Sequence, residues 1–168
     1  TRFSVVRYGN VVGSRGSVIP LFMGKKRDGV IPITDPRMTR FFITLEQGVR
    51  FVLNCMEKMV GGEVFVPKLP SMNILELAKA IAPECKTEII GIRPGEKLHE
   101  VMISKDESRN TLEMDDLYMI RPEFSYFKKR FKKNGHKDVP DGFEYCSGSN
   151  SEWLTTRELE QILPTLSC

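Results

Sequence analysis

The run Val5-Val6-Arg7-Tyr8-Gly9-Asn10-Val11-Val12-Gly13-Ser14-Arg15-Gly16-Ser17-Val18-Ile19-Pro20 leaves few folds open to this chain. It begins as a strand, because Phe3, Val5 and Val6 are apolar and partly β-branched. The strand is expected to end at Gly9, whose missing Cβ lets another body come close to the backbone. Asn10 then offers an amide that both donates and accepts. Gly13 to Ser17 read as a turn carrying one fixed cation, Arg15. Ser17 stands where a helix cap belongs, with Pro20 in the first turn, where a missing N–H costs little. A strand, a Gly-rich turn with an Arg and a helix N-terminus suit an anionic ligand at the carboxyl end of an α/β sheet. An ordinary strand–turn–helix with a solvated Arg fits the same pattern.

The rest of the chain alternates strands and helices. Lys25, Lys26, Arg27 and Asp28 close the first helix, with Gly29 as its stop. Ile31 to Asp35 reads as a short extended piece broken by Pro32 and Pro36. Thr44-Leu45-Glu46-Gln47 is a capping box, after which Leu45, Val49, Val52, Leu53, Met56 and Val60 share one helical face, and Met56 and Met59 read as core filler. Glu63 to Pro67 is a strand. Asn73 and Glu76 open a helix with Ile74, Leu77, Ala78 and Ile81 inward and Pro83 as terminator. Thr87 to Gly91 is predicted as a strand, Glu96 to Met102 as a short helix, and Leu117 to Ile120 as a late strand. Thr155 or Thr156 opens the last helix. The alternation gives an α/β class.

The 168 residues are enough for one core, and the net charge of +3 gives no argument for nucleic acid. Phe127 to Lys137 mixes Lys and Arg with Phe127 and Phe131, a pattern that fits a solvated loop or an oligomer contact better than a nucleic-acid surface. Cys55, Cys85, Cys146 and Cys168 show no Cys-x-x-Cys spacing and read as reduced thiols, not as a disulfide frame or a metal site. No apolar run reaches membrane-spanning length. The chain starts on Thr, inside a strand pattern, and it has neither a Gly-x-Gly-x-x-Gly fingerprint after a first strand nor a Tyr-x-x-x-Lys pair. These features are expected of a fragment.

Arg93-Pro94-Gly95-Glu96-Lys97-Leu98-His99 sets a cation before a rigid turn. Arg is the best fork for phosphate oxygens, and Pro94 fixes its direction. Glu96 can accept from the hydroxyls of a ribose or sugar, Lys97 adds a second charge, and His99 can serve neutral or charged. A helix start with a surface ion pair has the same pattern. Arg37, Thr39 and Arg40 fit either ligand contact or a polar turn bracing the substrate loop, and Arg40 is a candidate partner for Asp35.

Four ordered blocks carry a family resemblance: Arg7 to Val18, Ile33-Thr34-Asp35-Pro36-Arg37-Met38-Thr39-Arg40-Phe41, Gly62-Glu63-Val64-Phe65-Val66-Pro67-Lys68, and Gly91-Ile92-Arg93-Pro94-Gly95-Glu96-Lys97-Leu98-His99-Glu100. With the tail Asn150-Ser151-Glu152-Trp153-Leu154-Thr155, the chain resembles the C-terminal part of extended short-chain dehydrogenase/reductases. Within them it is similar to the inverting UDP-N-acetylglucosamine 4,6-dehydratases of polysaccharide biosynthesis. The resemblance covers nearly the whole chain and is weakest over 122–142. It implies the last strands of a Rossmann-type parallel sheet over residues 1–168 together with a small α/β lobe that binds the UDP-sugar, the dinucleotide-binding half being absent.

From the resemblance, Asn10, Thr34, Arg93, Glu96, Lys97, Leu98 and His99 are expected at the UDP-sugar, and Val11 and Arg15 near an NADP cofactor. It implies a hydro-lyase that oxidises C4 of UDP-N-acetylglucosamine, loses water across C5 and C6 and returns the hydride to C6. The inverting branch makes a 4-keto-6-deoxy-L-sugar for pseudaminic acid and surface glycans. The catalytic groups lie upstream in relatives, so no catalytic residue and no metal ligand is assigned here, and this chain alone is expected to be inactive. A cytoplasmic homo-oligomer is expected of the full-length enzyme. The other readings are a membrane-anchored retaining dehydratase and a non-catalytic nucleotide-sugar binding module.

Overall fold

The computed structural model describes residues 1–123 and 136–163. The aromatic and basic cluster expected at Phe127 to Lys137 therefore lies outside the described residues but for its last two positions, as does Cys168. The class is α/β, and the chain divides into two compact units, each assembled from separated stretches.

The first unit takes in Thr1–Tyr8, Leu45–Lys68 and Val101–Cys146. Its main sheet has the order β1-β5-β10-β9-β11, with β1 Val5–Val6, β5 Val64–Pro67, β9 Thr111–Glu113, β10 Leu117–Ile120 and β11 Lys137–Asp138. Only β1 and β5 run parallel, and the remaining neighbours are antiparallel. A second pair joins β8 Val101–Ile103 to β12 Tyr145–Cys146. Helix α2, Leu45–Lys58, starts where the sequence places it. The residues it buries are Phe51 and Cys55, which join Phe65, Leu112, Leu117 and Met119 in a core that Met59 packs against. Leu45, Val49, Leu53 and Met56 are exposed, so Met56 is not the core filler the sequence suggested. Burial pushes the Cys55 thiol up to about 11, so that site holds an inert, protonated thiol.

The turn between α2 and β5 is organised by Glu63, which is buried. Its carboxylate accepts from the Ser4 hydroxyl at 2.9 Å and from the backbone N–H groups of Val60 and Gly61. A buried carboxylate survives only when its lone pairs are met in this way.

The second unit takes in Gly9–Thr44, Leu69–Glu100 and Ser147–Cys168. Strand β2, Asn10–Val11, lies parallel to β4, Thr39–Ile43, and β6, Ser71–Asn73, lies antiparallel on the other side of β4. The opening run is thus two strands in two sheets, not one strand ending at Gly9. Every residue of β4 is buried, the charged Arg40 included, with β2 on one side and β6 on the other. A separate parallel pair joins β3, Val30–Ile33, to β7, Lys86–Ile89, the latter starting one residue and ending two residues earlier than the sequence pattern indicated. Helices α1 Val18–Lys25, α3 Ile74–Ile81 and α4 Thr156–Ile162 complete the unit.

Helix α3 follows its sequence closely. The Asn73 side chain accepts from the N–H groups of Leu75 and Glu76, and Ile74, Leu77, Ala78 and Ile81 are its buried residues. They share a core with Ile19, Phe22, Ile31, Ile33 and Leu159. Asn150 ties the tail down by donating to the carbonyls of Leu69 and Glu152, each at 2.8 Å.

The helix expected at Glu96 to Met102 does not form. Gly95 has φ 81°, and β8 occupies Val101–Ile103. The carbonyls a helix would need are claimed elsewhere: Leu98 O accepts from Thr39 N–H at 3.1 Å, and Lys97 O from Arg40 at 2.8 Å.

Candidate functional site

A cavity of about 250 Å³ opens in the second unit. One wall is the turn and first residues of α1, at Gly16, Ser17 and Val18. Pro32 and Thr34 come from the end of β3, Arg40 from β4, and Ile90, Arg93 and Glu96 from the loop after β7. Asn10 of β2 lines it as well. Apolar atoms from Leu21, Phe22, Met38 and Ile74 fill the spaces between the polar groups. Such a mixture of apolar walls and a few convergent polar groups is what a small organic anion requires.

The polar groups differ in what they already hold. Arg93 and Glu96 close a turn on each other: the Arg93 N–H donates to Glu96 Oε2 at 3.2 Å, and the Glu96 N–H to Arg93 O at 3.0 Å. Among the described residues the Arg93 guanidinium makes no ion pair. Ser17 occupies the cap position of α1 in extended backbone, yet its side chain makes no cap hydrogen bond. Its Oγ is buried and has no hydrogen-bond partner among the described residues. Buried hydroxyls are nearly always hydrogen-bonded, so this one is open to pairing with a polar group that enters the cavity it lines.

Two nearby charges are already committed. The Arg37 guanidinium and backbone N–H both donate to the Asp35 carboxylate, at 2.8 to 3.0 Å, and the Arg37 side chain is the main cause that holds Asp35 down to about 2. Asp35 is therefore the partner of Arg37, not of Arg40. Arg40 instead reaches the carbonyls of Thr39, Lys97 and Leu98 and lies 3.6 Å from the Glu100 carboxylate.

Of the residues singled out from sequence, Asn10, Thr34, Arg40, Arg93 and Glu96 come together at this cavity. Lys97, Leu98 and His99 are not among its lining. Lys97 and Leu98 lend their carbonyls to Arg40, Leu98 packs on the core, and His99 Nδ1 meets the Thr39 hydroxyl at 2.8 Å. Val11 pairs with Ile43, and Arg15 stands exposed on the turn between Gly13 and Gly16, both at φ 75°. The unpaired hydroxyl of Ser17 was not legible, because a Ser before a helix reads as its cap. Among the described residues no group of three or more His, Cys, Asp or Glu could hold a metal, and no helix is long and apolar enough to cross a membrane.

Comparison with known proteins adds to this geometry. A family model described as "Polysaccharide biosynthesis protein" matches residues 1–122. The chain is 51% identical over 172 residues to the UDP-N-acetylglucosamine 4,6-dehydratase (inverting) of Campylobacter jejuni subsp. jejuni serotype O:2, covering 97% of this chain and 51% of that protein. It is 39% identical over 174 residues to the UDP-glucose 4-epimerase of Rickettsia conorii, covering 99% and 50%. The X-ray structure of Pen from Bacillus thuringiensis superposes with a TM-score of 0.83 at 32% identity, over 98% of this chain and 50% of that one. The chain thus spans about half the length of the curated relatives it matches.

Proposed function

The chain belongs to the polysaccharide biosynthesis protein family, and from that premise we propose that its cavity binds the UDP moiety of a UDP-sugar. On this reading it is the substrate-binding part of a UDP-N-acetylglucosamine 4,6-dehydratase of the inverting type, acting towards pseudaminic acid and surface glycans. The observation that carries it is the pairing of an uncommitted guanidinium, Arg93, with an unpartnered buried hydroxyl, Ser17, at the N-terminus of α1. A diphosphate meets both, since Arg forks onto phosphate oxygens and helix N-termini favour anions. The two relatives named above share UDP in their names, which agrees with a site built first for that part.

Within this site Arg93 neutralises the diphosphate, Glu96 accepts from a sugar or ribose hydroxyl, and the Asn10 amide orients the hexose. Thr34 and Pro32 border the nucleoside. Held in this way, the sugar presents C4 to C6 in one orientation, and positioning of that kind supplies a large part of a catalytic advantage. The turn carrying Arg15 fits the phosphates of NADP, because its exposed guanidinium makes no ion pair among the described residues and the space beside Gly16 is open. A bound nicotinamide would accept and return the hydride. With neither the dinucleotide fingerprint nor a Tyr-x-x-x-Lys pair in its sequence, this chain binds but does not turn over the sugar.

Calorimetric titration of this chain with UDP, UDP-N-acetylglucosamine and uridine tests the reading. UDP and the UDP-sugar should bind far more tightly than uridine. Arg93→Ala should weaken UDP by about 2–4 kcal/mol, the scale for removing one partner of a desolvated charged contact, and leave uridine unchanged. Equal affinities for UDP and uridine would remove the diphosphate assignment.

A further inference from the structure

We infer that β7 is a docking edge for a second copy of this chain, the two β7 strands pairing antiparallel about a two-fold axis at Thr87. Strand β7 has β3 on one side and, among the described residues, no strand on the other. The Lys86 N–H donates to Gly29 O at 3.0 Å, and the Ile90 N–H to Ile33 O at 2.9 Å. Backbone groups alternate sides along a strand. Lys86, Glu88 and Ile90 therefore turn theirs to β3, and Thr87 and Ile89 turn theirs to the open edge. Every residue of β7 is exposed. An edge of this kind is a template for another strand.

The charges on the edge select a second copy as its partner. With Thr87 set against the partner's Thr87, the two residues exchange their backbone bonds. Lys86 then faces the partner's Glu88, and Glu88 faces the partner's Lys86. These flanking positions are the closely spaced pairs of an antiparallel ladder, where opposite charges stabilise. Neither Lys86 nor Glu88 makes an ion pair among the described residues. An axis at Glu88 would instead set Glu88 against the partner's Glu88, and an axis at Ile89 would set Glu88 against the partner's Ile90. Charge thus picks one register. The opposite face of the strand agrees with it. Thr87 and Ile89 are paired with Ile31 and Ile33, which are fully buried in the core, yet Ile89 is 65% exposed. In the Thr87 register Ile89 lies against the partner's Cys85, and Cys85 packs against the same core, so the apolar face runs on from one copy into the next. An edge this short buries less than the roughly 1,200 Å² of a stable interface, so the dimer is reversible. The loop after β7 carries Ile90, Arg93 and Glu96 to the cavity, and pairing steadies that wall.

Sedimentation equilibrium of this chain over a range of concentrations tests the inference. The wild type should dimerise reversibly. Lys86→Glu and Glu88→Lys each set like charges against one another and should weaken the dimer about tenfold. The double variant K86E/E88K restores opposite charges and should dimerise within about threefold of the wild type. A mixture of K86E with E88K should form the mixed dimer for the same reason. Thr87→Pro removes an N–H that β3 does not use, and should abolish dimerisation while circular dichroism stays that of the wild type. A wild-type chain that stays monomeric up to about 1 mM would overturn the inference. So would T87P dimerising as the wild type does, or K86E/E88K remaining as weak as the single variants, since association would then use another surface.

Discussion

A Cβ placed on Gly9 would stand 2.6 Å from the carbonyl oxygen of Phe41 and 2.7 Å from its Cβ. Gly9 is not among the glycines with positive φ, so the demand is for room and not for an unusual backbone. The body that comes close to this glycine is strand β4 of the same unit. The residue after it, Asn10, pairs with Phe42, so the approach fixes the register that brings Asn10 to the cavity.

Gly9→Ala should therefore destabilise the chain by about 1–3 kcal/mol, the usual cost of forcing atoms into a packed site. The atom met is backbone and cannot swing aside. Urea denaturation measures the change, and an unmoved midpoint would show that β4 yields freely.

Gly148 bears the same relation to a side chain. An added Cβ would lie 2.7 Å from Cγ and Nδ1 of His99, the nitrogen that meets the Thr39 hydroxyl. Gly148→Ala should push the ring off Thr39 and cost about 1–2 kcal/mol, the worth of a lost hydrogen bond plus strain. His99→Ala opens that space, so the pair H99A/G148A should be no less stable than H99A alone. Thermal melts of the three variants decide, and additive losses would mean that Gly148 acts elsewhere.

How far these relations can be read from sequence depends on whether local signals meet a tertiary competitor. Helix α3 was legible to its caps and its inward residues, because Asn73 and the apolar spacing act within the helix itself. The stretch Glu96 to Met102 was not, because Arg40 and Thr39, far away in sequence, take its carbonyls. In α2 the apolar spacing was real, but Phe51 and Cys55 are what face the sheet, and Leu45, Val49, Leu53 and Met56 are exposed. Periodicity shows that apolar faces exist without saying what meets them. For the site, Asn10, Thr34, Arg93 and Glu96 could be named in advance, whereas the orphaned hydroxyl of Ser17 and the grip of Arg40 depend on packing that only coordinates reveal.

Asn10 gives a prediction about ligand orientation. Asn10→Asp keeps the size of the side chain but removes a donor and, on the proposed reading, adds a negative charge beside the diphosphate. Like charges in a partly dry crevice repel strongly. In a full-length enzyme of this family, Asn10→Asp should lower kcat/KM at least about tenfold, or about 1.4 kcal/mol, and Asn10→Ser should do less harm. If Asn10 only satisfied its own turn, Asp would be tolerated better than Ser. Steady-state kinetics of the two variants, ranked against each other, distinguish the cases.

Glu107 carries the clearest dependence on pH. Its carboxylate takes both Nη atoms of Arg7, at 2.8 and 3.0 Å, and also accepts from Ser104 N–H and Oγ, each at 2.9 Å. The Arg7 guanidinium is the main reason that Glu107 is held down to about 2, against 4.5 for a free Glu. A carboxylate depressed in the folded state contributes stability that is complete above its unfolded value. That stability is lost as the pH falls through the folded one. The window here is therefore pH 4.5 down to about 2. Because the Arg7 side chain is 38% exposed, solvent screening reduces the effect to about 1–2 kcal/mol. Asp35, Glu84 and Glu158 are depressed too, so the whole chain loses stability in acid by several routes. The difference between wild type and Glu107→Gln isolates this one. Urea denaturation at pH 6 should show Glu107→Gln less stable by that amount, and the gap should close as the pH nears 2.5. A gap that stays constant with pH would mean that Glu107 contributes through its hydrogen-bonding shape and not through its charge.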